Sequence, residues 1–188
     1  MTDPFFFGYG SLVNRATHSY PNAHRAGLKG WRRAWRSTSL RALAFLTAEP
    51  DDACQINGLI AAVPGHDWAA LDQRERAYDR HTLNDGLNHE APHAVTAQIY
   101  AVSPQHTAPP SVNHPILLSY IDVVVQGYLR EFGVAGANDF FNSTDGWNNP
   151  VLNDRSDPIY PRHQRLEAEE QLYVDMQLSR LSAQIVQR

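Results

Sequence analysis

An apolar run, Phe5-Phe6-Phe7, breaks without a spacer into Gly8-Tyr9-Gly10-Ser11-Leu12-Val13-Asn14. The pattern reads as a short strand that delivers a loop near the start of the chain. Glycine at 8 and 10 allows backbone angles closed to other residues, and it lets the main chain approach a ligand so that successive N–H groups can converge on an anion or a carbonyl oxygen. The same Gly-x-Gly also serves as a plain turn, and spacing alone leaves both readings open. It does exclude the common nucleotide cradles. A dinucleotide fingerprint needs a third glycine where this chain has Val13, and a P-loop needs a closing Gly-Lys-Ser/Thr that is absent.

The chain has 188 residues, which fits one domain over 1–188 with a core large enough to stand without metal or disulfide staples. Its net charge is −4, and the only basic cluster is Arg32-Arg33-Arg36, so nothing suggests a nucleic-acid face. A small-molecule partner is expected. Cys54 is the single cysteine, which rules out an internal disulfide and a cysteine-based metal site and fits a reducing cytoplasm. Asp3 and Pro4 precede only three phenylalanines, unlike a signal peptide, and no window is long and apolar enough to span a membrane. The histidines lack the His-x-x-x-His or His-Glu-x-x-His spacing of a helical zinc site, so no metal is expected.

Along the chain, Trp31, Trp35 and the run Leu40 to Leu46 suggest strand, then a turn at Glu49-Pro50-Asp51-Asp52. Further strands are expected at Ile56 to Val63, stopped by Pro64-Gly65, and at Ala94 to Val102. Between them Asp67 can cap a helix running from Trp68 to Tyr78. At about 100° per residue, Trp68, Leu71 and Tyr78 share a stripe that includes Glu75. A carboxylate on a buried stripe has its pKa pushed upward, toward the range useful for proton transfer. An ion pair with an arginine, such as Arg36 or Arg41, accounts for it equally well.

The segment 104–115, with Pro104, Pro109, Pro110 and Pro115, reads as a connection between a β-rich core (1–103) and a helical and loop extension (114–188). A helix beginning at Pro115, carrying Tyr120 on its apolar face, is expected to end near Gly133. Phe140 to Pro161 reads as a long loop of the kind that covers sites. Leu166 to Val186 lacks Gly and Pro and reads as a long terminal helix.

Several landmarks occur in a familiar order: the strand into Tyr9-Gly10-Ser11-Leu12, then Gly30-Trp31-Arg32-Arg33-Ala34-Trp35, a Gly58-Leu59-Ile60 strand ending in Pro64-Gly65, and Leu71-Asp72-Gln73-Arg74-Glu75 with Tyr78. Together they resemble the gamma-glutamylcyclotransferase superfamily over the first half of the chain. The resemblance implies an α+β fold: a gamma-glutamylcyclotransferase-like small mixed β-barrel flanked by helices, with a long C-terminal helix. It also implies that the loop Tyr9, Gly10, Ser11, Leu12, Val13 and Asn14 binds a γ-glutamyl group, with Glu75 as catalytic acid and base. Ser119 to Gly127 looks like the family's helix with a substrate-contacting tyrosine, which assigns Tyr120 to binding. A structural role for Tyr120 on its apolar stripe is the alternative.

The implied reaction is cyclisation of a γ-glutamyl amide to 5-oxoproline with release of the amine. No nucleophilic Ser or Cys and no cofactor are needed, because the attack is intramolecular. The ChaC branch of the superfamily, which acts on glutathione, carries an aromatic-Gln-Gly-Ser stretch where this chain has Trp35-Arg36-Ser37-Thr38. That departure points away from glutathione. The alternatives are a non-catalytic small-molecule binding module on the same fold and γ-glutamyl removal from a specialised amine.

Overall fold

The computed structural model describes residues 2–109, 111 and 113–188. Pro110, part of the expected connection, lies outside the described residues. In chain order the elements are β1 (Phe5–Gly8), β2 (His24–Ser37), β3 (Ala44–Ala62), α1 (Ala69–Arg74), β4 (Asp79–Leu83), β5 (Leu87–His89) and β6 (Ala97–Ala101). They continue as β7 (Ile116–Leu117), α2 (Leu118–Ser143), β8 (Thr144–Asp145), β9 (Val151–Asn153), α3 (Ala168–Arg180) and β10 (Ile185–Gln187). The main sheet runs β4-β6-β1-β3-β2-β5, with β8 added to β2, and curls into a half-barrel. A small parallel sheet, β10-β9-β7, joins the chain end to the start of α2. The architecture is the mixed α+β fold that the landmarks imply.

β1 lies inside the sheet, antiparallel to β3 and parallel to β6, with Phe7 opposite both Ile60 and Ile99. Its side chains alternate between two apolar layers, as a strand's must. Phe5 and Phe7 pack with Ile121, Val124 and Tyr128 of α2, while Phe6 packs on the other face with Leu12, Leu71 and Tyr100. Each buried phenylalanine contributes about 1.5–3 kcal/mol. A one-residue slip would exchange the two layers, so the run fixes where Gly8 ends and the loop begins.

Several expected boundaries move. The turn at Glu49 to Asp52 lies inside one long strand: Lys29 pairs with Gln55 and Trp31 with Pro50, so Asp51 to Cys54 bulge out opposite Gly30. The helix expected over Trp68 to Tyr78 is only Ala69–Arg74; Asp67 does accept from the Ala69 amide (3.1 Å), but Tyr78 N–H turns back to the Glu75 carbonyl (2.8 Å) and β4 begins at Asp79. α2 starts after β7 and runs past Gly133 to Ser143. At Gly133 (φ 65°) the helix breaks, then resumes, because Phe140 and Phe141 bring the second piece back onto the core. Phe140 is therefore helical. The terminal helix is Ala168–Arg180, shorter than the Leu166 to Val186 expectation. The Ala183 amide folds back to the Leu178 carbonyl, and the end of the chain pairs with β9 as β10.

Candidate active site

The loop after β1 is held rigidly by its surroundings. Asn14, 2% exposed, donates its side-chain amide to the Val123 carbonyl and to Gln126 Oε1 on α2 (3.0 Å each) and accepts from the Ala16 amide (3.1 Å). The Tyr9 hydroxyl donates to the Tyr100 carbonyl (2.6 Å) and accepts from the Ala48 amide (3.1 Å), while the Tyr9 carbonyl accepts from the Tyr128 hydroxyl (2.9 Å). Burial raises the Tyr9 pKa, and nearby Glu75 adds to the shift. Val13 lies in the core, and neither it nor Asn14 lines the pocket described below. The part of the expected binding loop that faces open space is Tyr9 to Leu12.

At Gly10 the close approach is explicit. A Cβ there would lie 2.6 Å from Tyr120 Oη and 3.3 Å from Leu46 Cδ2. The Tyr120 hydroxyl therefore sits directly against the loop backbone at Gly10. Ser11 Oγ in turn accepts from Tyr160 (2.8 Å) and from Arg74 (3.2 Å). Tyr160 packs edge-on against Tyr120, with ring centres 4.9 Å apart.

Glu75 follows directly on the last residue of α1, at the position where the helix turns away. Its carboxylate is 15% exposed and pairs with Arg74 Nε at 3.0 Å. Arg74, 7% exposed, also donates to the Thr17 carbonyl (2.9 Å) and to Thr17 Oγ1 (3.2 Å), so it ties the carboxylate to the loop. The ion pair that was the alternative account of this carboxylate does form, with Arg74 rather than Arg36 or Arg41; Arg36 holds Glu49 through two bonds of 2.7 Å. Burial pushes the Glu75 carboxyl above its ordinary value, and the guanidiniums of Arg74 and Arg162 pull against that rise.

These groups border one pocket of about 430 Å³, within the range of small-molecule sites. Ser11, Glu75, Tyr78, Tyr120, Tyr160 and Arg162 line it. A recess of about 30 Å³ continues beneath it, bounded by Gly8 to Leu12, Glu75, Tyr78 and Tyr120. Burial holds the Tyr78 and Tyr120 hydroxyls well above their ordinary pKa, so both remain protonated donors at neutral pH. The Tyr78 hydroxyl already donates to the Leu46 carbonyl (3.0 Å). The structure thus brings Gly10, Ser11, Glu75 and Tyr120 together.

Sequence reasoning missed Tyr78, Tyr160, Arg162 and the role of Arg74. The segment Pro158-Ile159-Tyr160-Pro161-Arg162 was the available signal for two of them.

The sequence matches the model of the family "Gamma-glutamyl cyclotransferase, AIG2-like" over residues 6–118, more than half of the chain. The chain belongs to this family. The matched region contains the loop and Glu75 and stops at the start of α2, so Tyr120, Tyr160 and Arg162 lie beyond it. Solved structures extend the likeness. A protein described as a gamma-glutamyl cyclotransferase aligns with a TM-score of 0.57 at 13% identity, over 93% of this chain and 99% of its own. An uncharacterized protein from Homo sapiens gives 0.55 at 14% identity, again over 93% and 99%. YkqA from Bacillus subtilis gives 0.60 at 16% identity, over 78% of this chain and 57% of its own. At these identities the likeness is one of fold. No curated protein sequence matches the chain significantly. Among the described residues no helix is long and apolar enough to cross a membrane.

Proposed function

We propose that this protein cyclises a γ-glutamyl amide, releasing 5-oxoproline and the free amine, with Glu75 as general acid and base. The observation that carries the reading is a carboxylate, 15% exposed, with its pKa raised mainly by burial, in the same pocket as the backbone of a Gly-x-Gly-Ser loop. Glu75 takes a proton from the substrate's α-ammonium. The freed amine attacks the γ-carbonyl, a C–N bond forms within the glutamyl group, and the proton passes to the leaving nitrogen as the original C–N bond breaks. Proximity within one molecule supplies much of the rate. Backbone N–H groups of Tyr9 to Leu12 hold the substrate and stabilise the developing oxyanion, and the Tyr120 hydroxyl contributes a further donor.

A second reading is favoured by the 3.0 Å contact between Arg74 and Glu75. It takes the pair as structural, in a binding module without catalysis. One experiment separates the two. Purified protein is incubated with a panel of γ-glutamyl amino acids and amines, 5-oxoproline is measured, and Glu75→Gln is run alongside. The first reading expects product from at least one substrate and a loss of about 10²–10⁴-fold in kcat for the variant. Absence of product across the panel supports the binding module. Equal activity of both proteins removes Glu75 from the mechanism.

A further inference from the structure

The outer part of the pocket is lined by charges that the cyclisation step does not use. Arg41 and Arg76 are exposed, Arg162 is half-buried, and all three border the opening. Among the described residues none of the three forms an ion pair, whereas Arg15, Arg32, Arg36, Arg80 and Arg155 each hold a carboxylate. Among the described residues Glu75 is the only carboxylate in the lining, and it already pairs with Arg74. A chain with net charge −4 therefore concentrates an excess of three positive charges around one opening. A γ-glutamyl head cannot balance them, because its α-ammonium and α-carboxylate cancel. The compensating charge has to come from the other side of the scissile bond.

Resting on the cyclisation reading above, we propose that the leaving amine carries at least two negative charges, as paired carboxylates or as a phosphate, held by Arg41, Arg76 and Arg162. The planar guanidinium fork suits both groups, since each presents two oxygens to parallel N–H donors. Glu75 and the loop hold the γ-glutamyl end in the inner pocket, which leaves the amine to extend toward the arginines. A cationic or neutral amine would instead leave these three charges without a partner.

The test compares kcat/KM, read as 5-oxoproline, for four substrates: γ-glutamyl-glutamate, γ-glutamyl-phosphoethanolamine, γ-glutamyl-alanine and γ-glutamyl-alaninamide. The dicarboxylate or the phosphate is expected to exceed the uncharged amide by about fivefold per added charge, the upper end for solvent-exposed pairs. The better of the two identifies the source of the charge. Arg41→Gln combined with Arg162→Gln should shrink the ratio of the best substrate to alaninamide, as should raising the salt concentration. This ratio cancels any general loss of activity in the variant, and the wild-type ratio stands by itself if the variant fails to fold. Equal kcat/KM across the series, or preference for the uncharged amide, overturns the anionic leaving group while leaving cyclisation in place. No 5-oxoproline from any of the four or from the wider panel overturns the cyclisation reading and this proposal with it.

Discussion

Replacing Gly10 with alanine tests whether the loop and Tyr120 form one packed unit. The new Cβ would lie 2.6 Å from Tyr120 Oη and 3.3 Å from Leu46 Cδ2. Ordinary carbon–oxygen contact needs about 3.4 Å or more, so the tyrosine hydroxyl must retreat by about 0.8 Å, as an overpacked side chain does. Retreat moves it off the loop backbone and disturbs the edge-on contact with Tyr160. Overpacking of this kind costs about 1–3 kcal/mol, which lowers Tm by about 2–12 °C for a chain of this size. The cyclisation reading adds a fall in kcat/KM, because the alanine methyl occupies space next to the backbone that holds the substrate. The decisive measurement is a double-mutant cycle with Tyr120→Phe, scored by thermal or denaturant unfolding. Removing Oη removes the atom the methyl meets, so Gly10→Ala should cost distinctly less in the Tyr120→Phe background than in wild type. Strict additivity, or a Gly10→Ala protein with wild-type Tm and kcat/KM, would refute the packing argument and return the glycine to the role of a plain turn.

Two other outcomes follow from the site. Asn14→Ala removes three hydrogen bonds, two of them buried, that tie the loop to α2 and to its own turn, and should cost about 1–3 kcal/mol; an unchanged denaturation midpoint would contradict the anchoring role. The pH dependence of kcat/KM should show an acid limb at the pKa of Glu75, above the ordinary glutamate value because burial is the largest influence on it. Arg162 lowers that pKa, so Arg162→Gln should move the limb to higher pH and depress activity most on the acid side. A limb that stays in place or moves down would show that Arg162 does not act on this carboxylate.

The core strands were legible because their signals are local. The run Phe5 to Phe7 is apolar at every position and is buried on both faces, and Pro64-Gly65 does stop β3. Element ends were less legible because distant pairings set them. Nothing near Tyr78 indicates that β4 will pair with β6, yet that pairing ends α1 before Glu75. The helical stripe pointed Glu75 inward, and it does lie inward, although at a helix end rather than on a continuing face. The C-terminus shows the same effect: Ile185 and Val186 fit a helix by composition, and only β9 makes them a strand. Arg74 could not be placed from the sequence, since at about 100° per residue it falls off the stripe of Trp68, Leu71 and Tyr78. Its neighbours Ser11 and Thr17 lie about sixty residues earlier in the chain.

The direction of the Glu75 shift bears on what the Arg74 contact is for. An ion pair that served mainly to stabilise the fold would hold its carboxylate below the ordinary glutamate value, because attraction would outweigh desolvation. Here desolvation outweighs Arg74 and Arg162 together, and the pKa stands raised. The native state therefore retains the Glu75 proton to higher pH than the unfolded chain does. By linkage, stability falls as pH rises from the unfolded glutamate value through the raised folded one, and above that window the fold carries the full cost of the charge. The cation 3.0 Å away reduces this cost without removing it. Arg74 also reaches Thr17 and Ser11, and Ser11 receives Tyr160. The contact therefore fixes the carboxylate in register with the loop. A group held in place at a net cost to stability, beside open space and protonated tyrosines, fits the proton-transfer role proposed for Glu75.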